Sequence, residues 1–178
     1  MEFFEVLEQR YSHKEKFLAD SVPLADLEKI ATAGLLAPSG VNRQSARLII
    51  LPDRKMLDLL CEISATAGLE TAPAAIAVFT DKTVTPPDRM NFEKEDYSAA
   101  VENMLLAAVA LGYASLWLDS PFFDPQNEEK AKIVLNIPVD KYKLWAVLPI
   151  GKPSDSGSRR DKLPFGERVS YAKYGLGK

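Results

Sequence analysis

The sequence predicts an α+β fold in which a small sheet packs against one central helix. Three observations carry this expectation. The strand-like apolar runs are few, short and separated by helical patterns. Two helical segments precede the first of those runs, unlike the alternation of a doubly wound nucleotide fold. The segment 96–111 is apolar on most sides of a helix, as a helix packed between a sheet and another layer must be.

Taken in order, Phe3, Phe4 and Leu7 give a short first helix an apolar face, ending near Gln9. Leu24, Leu27, Ile30, Ala31 and Leu35 keep a helical period between Pro23 and Pro38, where proline stops the helix. A strand follows at 46–51, then a helix carrying Met56, Leu59, Leu60 and Ile63. Residues 74–80 form a buried strand, and 81–95 a long polar loop with Pro86 and Pro87 adjacent. The central helix ends at Gly112, which suits a left-handed cap. A strand at 114–118, a helix at 125–135 and a strand at 143–150 complete the body. The tail, 151–178, has no core of its own and must lie across something else.

The 178 residues are one domain's worth, 1–178, with 47% hydrophobic and 26% charged residues as in an ordinary globular chain. The single cysteine, Cys61, excludes an internal disulfide framework and a cysteine-only metal cluster. No apolar run approaches the roughly 18 residues of a membrane span. The first residues carry acids where a signal peptide carries bases, so the expected location is cytoplasmic. A net charge of −3 supplies no global field for nucleic acid or anionic membrane. His13 is the only histidine, which argues against a histidine metal site, a Ser-His-acid triad and a Cys-His pair. Its basic, polar neighbours predict a solvated ring. Glu93, Glu95 and Asp96 read as acids favouring the first turn of the central helix. So few titratable groups suggest chemistry carried by a cofactor.

Three constellations stand out against this acidic background. Arg10, Ser12 and Lys14 alternate around Tyr11 and His13, so an extended backbone points two cations and a hydroxyl the same way, as a phosphate clamp requires. Pro38, Ser39, Gly40, Asn42 and Gln44 form an irregular loop with donors and acceptors at close spacing, able to meet a planar heterocycle. The segment 158–164 places Arg160 and Lys162 at the same alternation, a second basic pair for one anion gripped from two sides. Each alone is also what a solvated surface or an ordinary loop looks like.

Together, and in this order, they resemble the nitroreductase family of FMN-dependent oxidoreductases. The likeness continues through Asp96 and Glu102-Asn103 on the central helix, Leu111-Gly112 and Trp117-Leu118. It extends over Leu135 to Pro138, Gly151 to Pro153, Arg160 with Lys162, and the tail at Tyr171 to Gly175. The resemblance implies a small, mostly antiparallel sheet around the central helix. It also implies FMN at the interface of a homodimer whose C-terminal arms are exchanged. Arg10, Ser12, Arg160 and Lys162 would grip the phosphate beside Tyr11, and Lys14 would lie nearer the pyrimidine edge. Pro38, Ser39, Gly40, Asn42 and Gln44 would approach the ring from the other subunit, and Leu118, Asp119, Ser120 and Pro121 would cover its opposite side. No side chain would act as catalytic acid or base. NAD(P)H would be the reductant and a nitroaromatic or quinone the acceptor.

The chain departs from the family pattern at Ser45-Ala46, where Pro-Trp is usual, and at Asp119, where Gly often stands. These departures keep two alternatives open: a flavin-binding carrier or sensor without turnover, and a specialised flavin enzyme acting on flavin, ene or halogenated substrates. Residues 81–95 are the one candidate lid.

Overall fold

A computed structural model of the chain describes residues 2–86, 88–155, 157 and 159–175. Pro87, Ser158 and the last three residues of the expected arm lie outside the described residues. Among the described residues, seven helices and four strands follow the order α1 (Phe3–Gln9), α2 (Leu24–Leu35), β1 (Ala46–Leu51), α3 (Arg54–Ile63), α4 (Ala67–Thr71), β2 (Ala74–Asp81), α5 (Glu93–Ala110), β3 (Ala114–Ser115), α6 (Pro125–Val134), β4 (Tyr142–Gly151) and α7 (Phe165–Arg168). The sheet runs β1-β2-β4-β3 and every neighbouring pair is antiparallel. The α+β class and the small antiparallel sheet are therefore as expected.

β2 is buried on both faces along its whole length, which explains its unbroken apolar run. Ile76 and Val78 face a core shared with α2 and α5, while Ala75, Ala77 and Phe79 face a second core with α3 and α6. In β4, a register shift opposite Val78 and Phe79 leaves Trp145 without a partner between Leu144 and Ala146. This bulge turns Trp145 toward α5 along with Ala146. There the indole stacks on Tyr97 at 4.7 Å and donates from Nε1 to Thr80 Oγ1 at 2.7 Å.

α5 is the central helix, with α2 on one side and the sheet on the other. Its approach to α2 is close: a Cβ on Gly34 would fall 2.7 Å from Met104 Cγ. The helix begins at Glu93, earlier than the sequence suggested, because the Asn91 side chain accepts from the Glu93 N–H and starts the turn. Gly112 takes φ +82°, the left-handed cap expected of it.

The expected strand at 114–118 contracts to Ala114–Ser115, with one further bridge from Leu118 to Val147. The register makes Pro149 the partner of Leu116, at a position where the antiparallel ladder calls for an N–H. Proline has none, so the edge pairing breaks there. Residues 82–84 of the polar loop form a 3-10 turn. α4, which the sequence reading did not anticipate, is a five-residue helix capped by Thr66 Oγ1 accepting from Leu69 N–H. No described helix is long and apolar enough to cross a membrane.

Candidate functional site

The segment after α1 is extended and laid against the end of the sheet. Ser12 bridges Ser115 in parallel, the His13 N–H donates to Ser115 O, and Phe17 bridges Pro153. The alternation read from the sequence holds: Ser12 and Lys14 are exposed, while His13 between them is buried. The expectation of a solvated His13 is thereby corrected. The alternation that turns Arg10, Ser12 and Lys14 outward turns residue 13 into the body, where the imidazole meets Phe17 edge-on at 4.5 Å. Its Nε2 lies 2.9 Å from Lys16 O and its Nδ1 lies 3.4 Å from the Tyr11 hydroxyl.

Above this strip lies a cavity of about 330 Å³. Arg10, Tyr11, Ser12 and Lys14 line one side, and Gly157, Arg159, Arg160 and Lys162 line the other. Two basic clusters from opposite ends of the sequence thus meet at one concavity, with Glu15 the only acid among the described residues of its wall. Arg10 Nε sits 3.8 Å from Glu102 Oε1 on α5, and Arg159 donates to Glu8 O in the last turn of α1. Burial raises the Tyr11 hydroxyl above its ordinary pKa; the nearby Gly157 backbone opposes this and the Asp155 charge adds to it. Ser158, also part of the basic segment, lies outside the described residues.

The loop 38–44 sits elsewhere. Val41, Asn42 and Gln44 all take positive φ (46°, 57° and 50°), a costly conformation for residues with side chains. Three tethers hold it. Asp96 accepts from the Gly40 N–H at 2.8 Å and the Ser45 hydroxyl at 2.5 Å. Ser39 Oγ accepts from the Gln44 N–H at 2.9 Å. The Phe92 ring lies so close to Gly40 that a Cβ there would fall 2.2 Å from Phe92 Cγ. Arg43 completes the enclosure, over the Phe92 ring and bonded to Met90 O. Pro38, Ser39 and Gln44 line a second cavity of about 150 Å³ with Asp96. Gly40 and Asn42 stand in the same loop but line neither cavity.

Asp96 and Glu93 are accordingly not solvated first-turn acids. Both are buried, Asp96 under the loop and Glu93 accepting from Thr80 Oγ1 and Asn91 Nδ2. Glu95 alone of the three is exposed. Leu118, Asp119, Ser120 and Pro121 line neither cavity. Leu118 is packed in the α3–α6 core and Ser120–Phe123 forms a 3-10 turn. Burial raises the Tyr97 hydroxyl above its ordinary pKa, with the nearby Asp119 charge adding to the shift against a hydrogen bond from Ser98. Among the described residues, no group of three or more His, Cys, Asp or Glu side chains could hold a metal ion.

A sequence profile of the nitroreductase family matches residues 7–67 and 64–152. A protein of Archaeoglobus fulgidus assigned as an NADH dehydrogenase/NAD(P)H nitroreductase is 38% identical over 135 residues, 73% of this chain and 74% of its own. A solved structure from Parabacteroides distasonis with the same assignment superposes with a TM-score of 0.83 at 27% identity, covering 97% of this chain and 98% of the other. An FMN-dependent nitroreductase of Clostridium difficile gives a TM-score of 0.79 at 25% identity, covering 96% and 99%. With the profile spanning most of the body and the fold shared end to end, the chain belongs to the nitroreductase family.

Proposed function

We propose that this chain is an FMN-dependent oxidoreductase, a single domain acting as a homodimer, that moves hydride from NAD(P)H to an acceptor such as a nitroaromatic or quinone. The observation that carries the reading is the meeting of Arg10, Ser12 and Lys14 with Arg160 and Lys162 at one cavity. The donor set fits the phosphate of FMN. Guanidinium groups offer paired N–H donors, ammonium groups offer point charges, and the Ser12 hydroxyl offers a further donor. Bound FMN would supply the two-electron chemistry, accepting hydride from the nicotinamide and giving it to the acceptor.

The chain's own side chains bind and orient. Arg10, Ser12, Arg160 and Lys162 hold the phosphate, with Tyr11 in the same wall, and Lys14 favours negative charge at the pyrimidine edge. The loop of Pro38, Ser39, Gly40, Asn42 and Gln44 serves the partner's ring, which accords with its separation from the cavity within one chain. The segment of Leu118, Asp119, Ser120 and Pro121 covers the ring's other side, through backbone at Leu118, whose side chain is buried.

A homodimer is supported by the apolar residues this chain leaves uncovered. Phe3 and Phe4 on α1, Leu35 and Leu36 at the end of α2, and Phe165 and Tyr174 in the tail are all more than half exposed. Residues 159–175 of the tail are exposed throughout their described length. Such a strand of chain gains burial by lying across a second subunit.

The test is direct. Purified protein should be yellow and should release FMN on denaturation, and NADH or NADPH should bleach it without oxygen. Bound FMN that neither nicotinamide bleaches would overturn the reductase reading and favour a carrier.

A further inference from the structure

We infer that Tyr11 and His13 form a latch that fixes the arm bearing Arg160 and Lys162 against the N-terminal half of the clamp. The flavin consequence of this inference rests on the function proposed above; the latch itself is a matter of the protein alone.

The geometry runs from a carbonyl to the arm. Lys16 O is an acceptor only, and it receives the Ser154 N–H at 3.1 Å and the Ser154 hydroxyl at 2.7 Å. The 2.9 Å contact from His13 Nε2 to the same oxygen therefore requires a proton on Nε2. In the neutral ring that leaves Nδ1 bare, an acceptor 3.4 Å from the Tyr11 hydroxyl. With its proton directed to His13, the Tyr11 side chain is held where its ring packs against Gly157. The ring of Tyr11 also sets the distance. A Cβ on Gly157 would fall 2.2 Å from Tyr11 Cε2 and 2.8 Å from its hydroxyl, so only glycine lets the arm come this close.

One buried imidazole thus fixes both sides of the junction. On one side it ties down Lys16, to which residue 154 is bonded; on the other it aims the phenol that seats Gly157. Arg160 and Lys162 follow within five residues of Gly157, at the wall facing Arg10, Ser12 and Lys14. Tyr11 and His13 are positioning residues, acting on the phosphate through the arm.

Tyr11→Phe removes the hydroxyl and keeps the ring; His13→Gln keeps a donor near Lys16 O and loses the Nδ1 acceptor. In flavin-free protein both should speed hydrogen exchange at the Ser154 and Gly157 amides, with little change in the thermal midpoint. In binding, both should weaken FMN by about three- to tenfold, the worth of one hydrogen bond, while riboflavin, which lacks the phosphate, changes less than about twofold. Tyr11→Phe should add little to Arg160→Ala but its full factor to Arg10→Ala, because it acts through the arm. Unchanged amide exchange would overturn the latch, as would equal losses for FMN and riboflavin, or full additivity with Arg160→Ala. If wild-type protein binds neither flavin and the exchange still quickens, the cofactor reading falls and the latch stands.

Discussion

Replacing Asp96 with Asn tests how the strained loop is held. The carboxylate is 3% exposed and accepts two hydrogen bonds, from the Gly40 N–H and the Ser45 hydroxyl. Asn keeps the shape but can accept at one oxygen only, and its NH₂ then faces a donor. One charge-assisted bond, worth about 1.5–3 kcal/mol, is lost, and the donor left behind costs about 1–3 kcal/mol more. Loss of negative charge in the first turn of α5 removes about 0.3–1 kcal/mol. Partial relaxation offsets some of this, so the expected cost is about 3–5 kcal/mol. For a chain of this size each kcal/mol corresponds to roughly 2–4 °C in the midpoint. Urea unfolding followed by tryptophan fluorescence is a suitable assay, since Trp145 stacks on Tyr97 one residue along the same helix. The control is Glu95→Gln, exposed in the same turn, expected within about 0.5 kcal/mol of the parent. A loss under about 1 kcal/mol, or one matched by the control, would refute the tether.

Three other outcomes follow from the same structure. Arg10→Ala and Arg160→Ala should each weaken FMN by about ten- to a hundredfold, the worth of one charged hydrogen bond, with riboflavin titration as reference; unchanged FMN affinity in both removes the clamp. Glu128 is buried, which alone would raise its pKa, but the Lys132 ammonium at 2.8 Å, the Leu144 N–H and Lys143 outweigh burial and hold it below the usual carboxylate range. That stabilisation is complete above the unfolded value of about 4.3 and is lost as pH falls through the folded one. Glu128→Gln, which strands the buried Lys132, should cost about 3–5 kcal/mol at pH 7, with a shrinking gap to wild type as urea titrations move to lower pH. Removing residues 163–178 should shift the protein toward monomer in sedimentation and weaken FMN, whereas an unchanged dimer would show that the arm is not the exchanged element.

Much of the fold was legible because β2 and α5 are apolar in ways only central elements tolerate. The basic strip was legible because Arg10, Ser12 and Lys14 alternate, and strand periodicity survives in isolated extended segments. The misreading of His13 came from judging it by its charged neighbours instead of by that same alternation. Pro149 is visible in the sequence, but its effect on β3 depends on the register, which places it opposite Leu116. α4 is shorter than two turns and offers no period to read. Asp96 could be placed on the right helix from sequence, but its burial depends on a loop folding over it from residues 39–45.

The two halves of the proposed clamp come from opposite ends of the chain, and this bears on how the protein would mature. A ligand gripped by Arg10 and Arg160 together closes almost the whole polypeptide into a loop, much as a crosslink would. During synthesis the growing chain exposes Arg10 first and can offer only half a grip until residue 162 has emerged. Loading with a phosphate ligand would then coincide with completion of the fold. A chain truncated before residue 160 would keep only the Arg10 half of the grip, so a saturating phosphate ligand would stabilise it less than the finished protein.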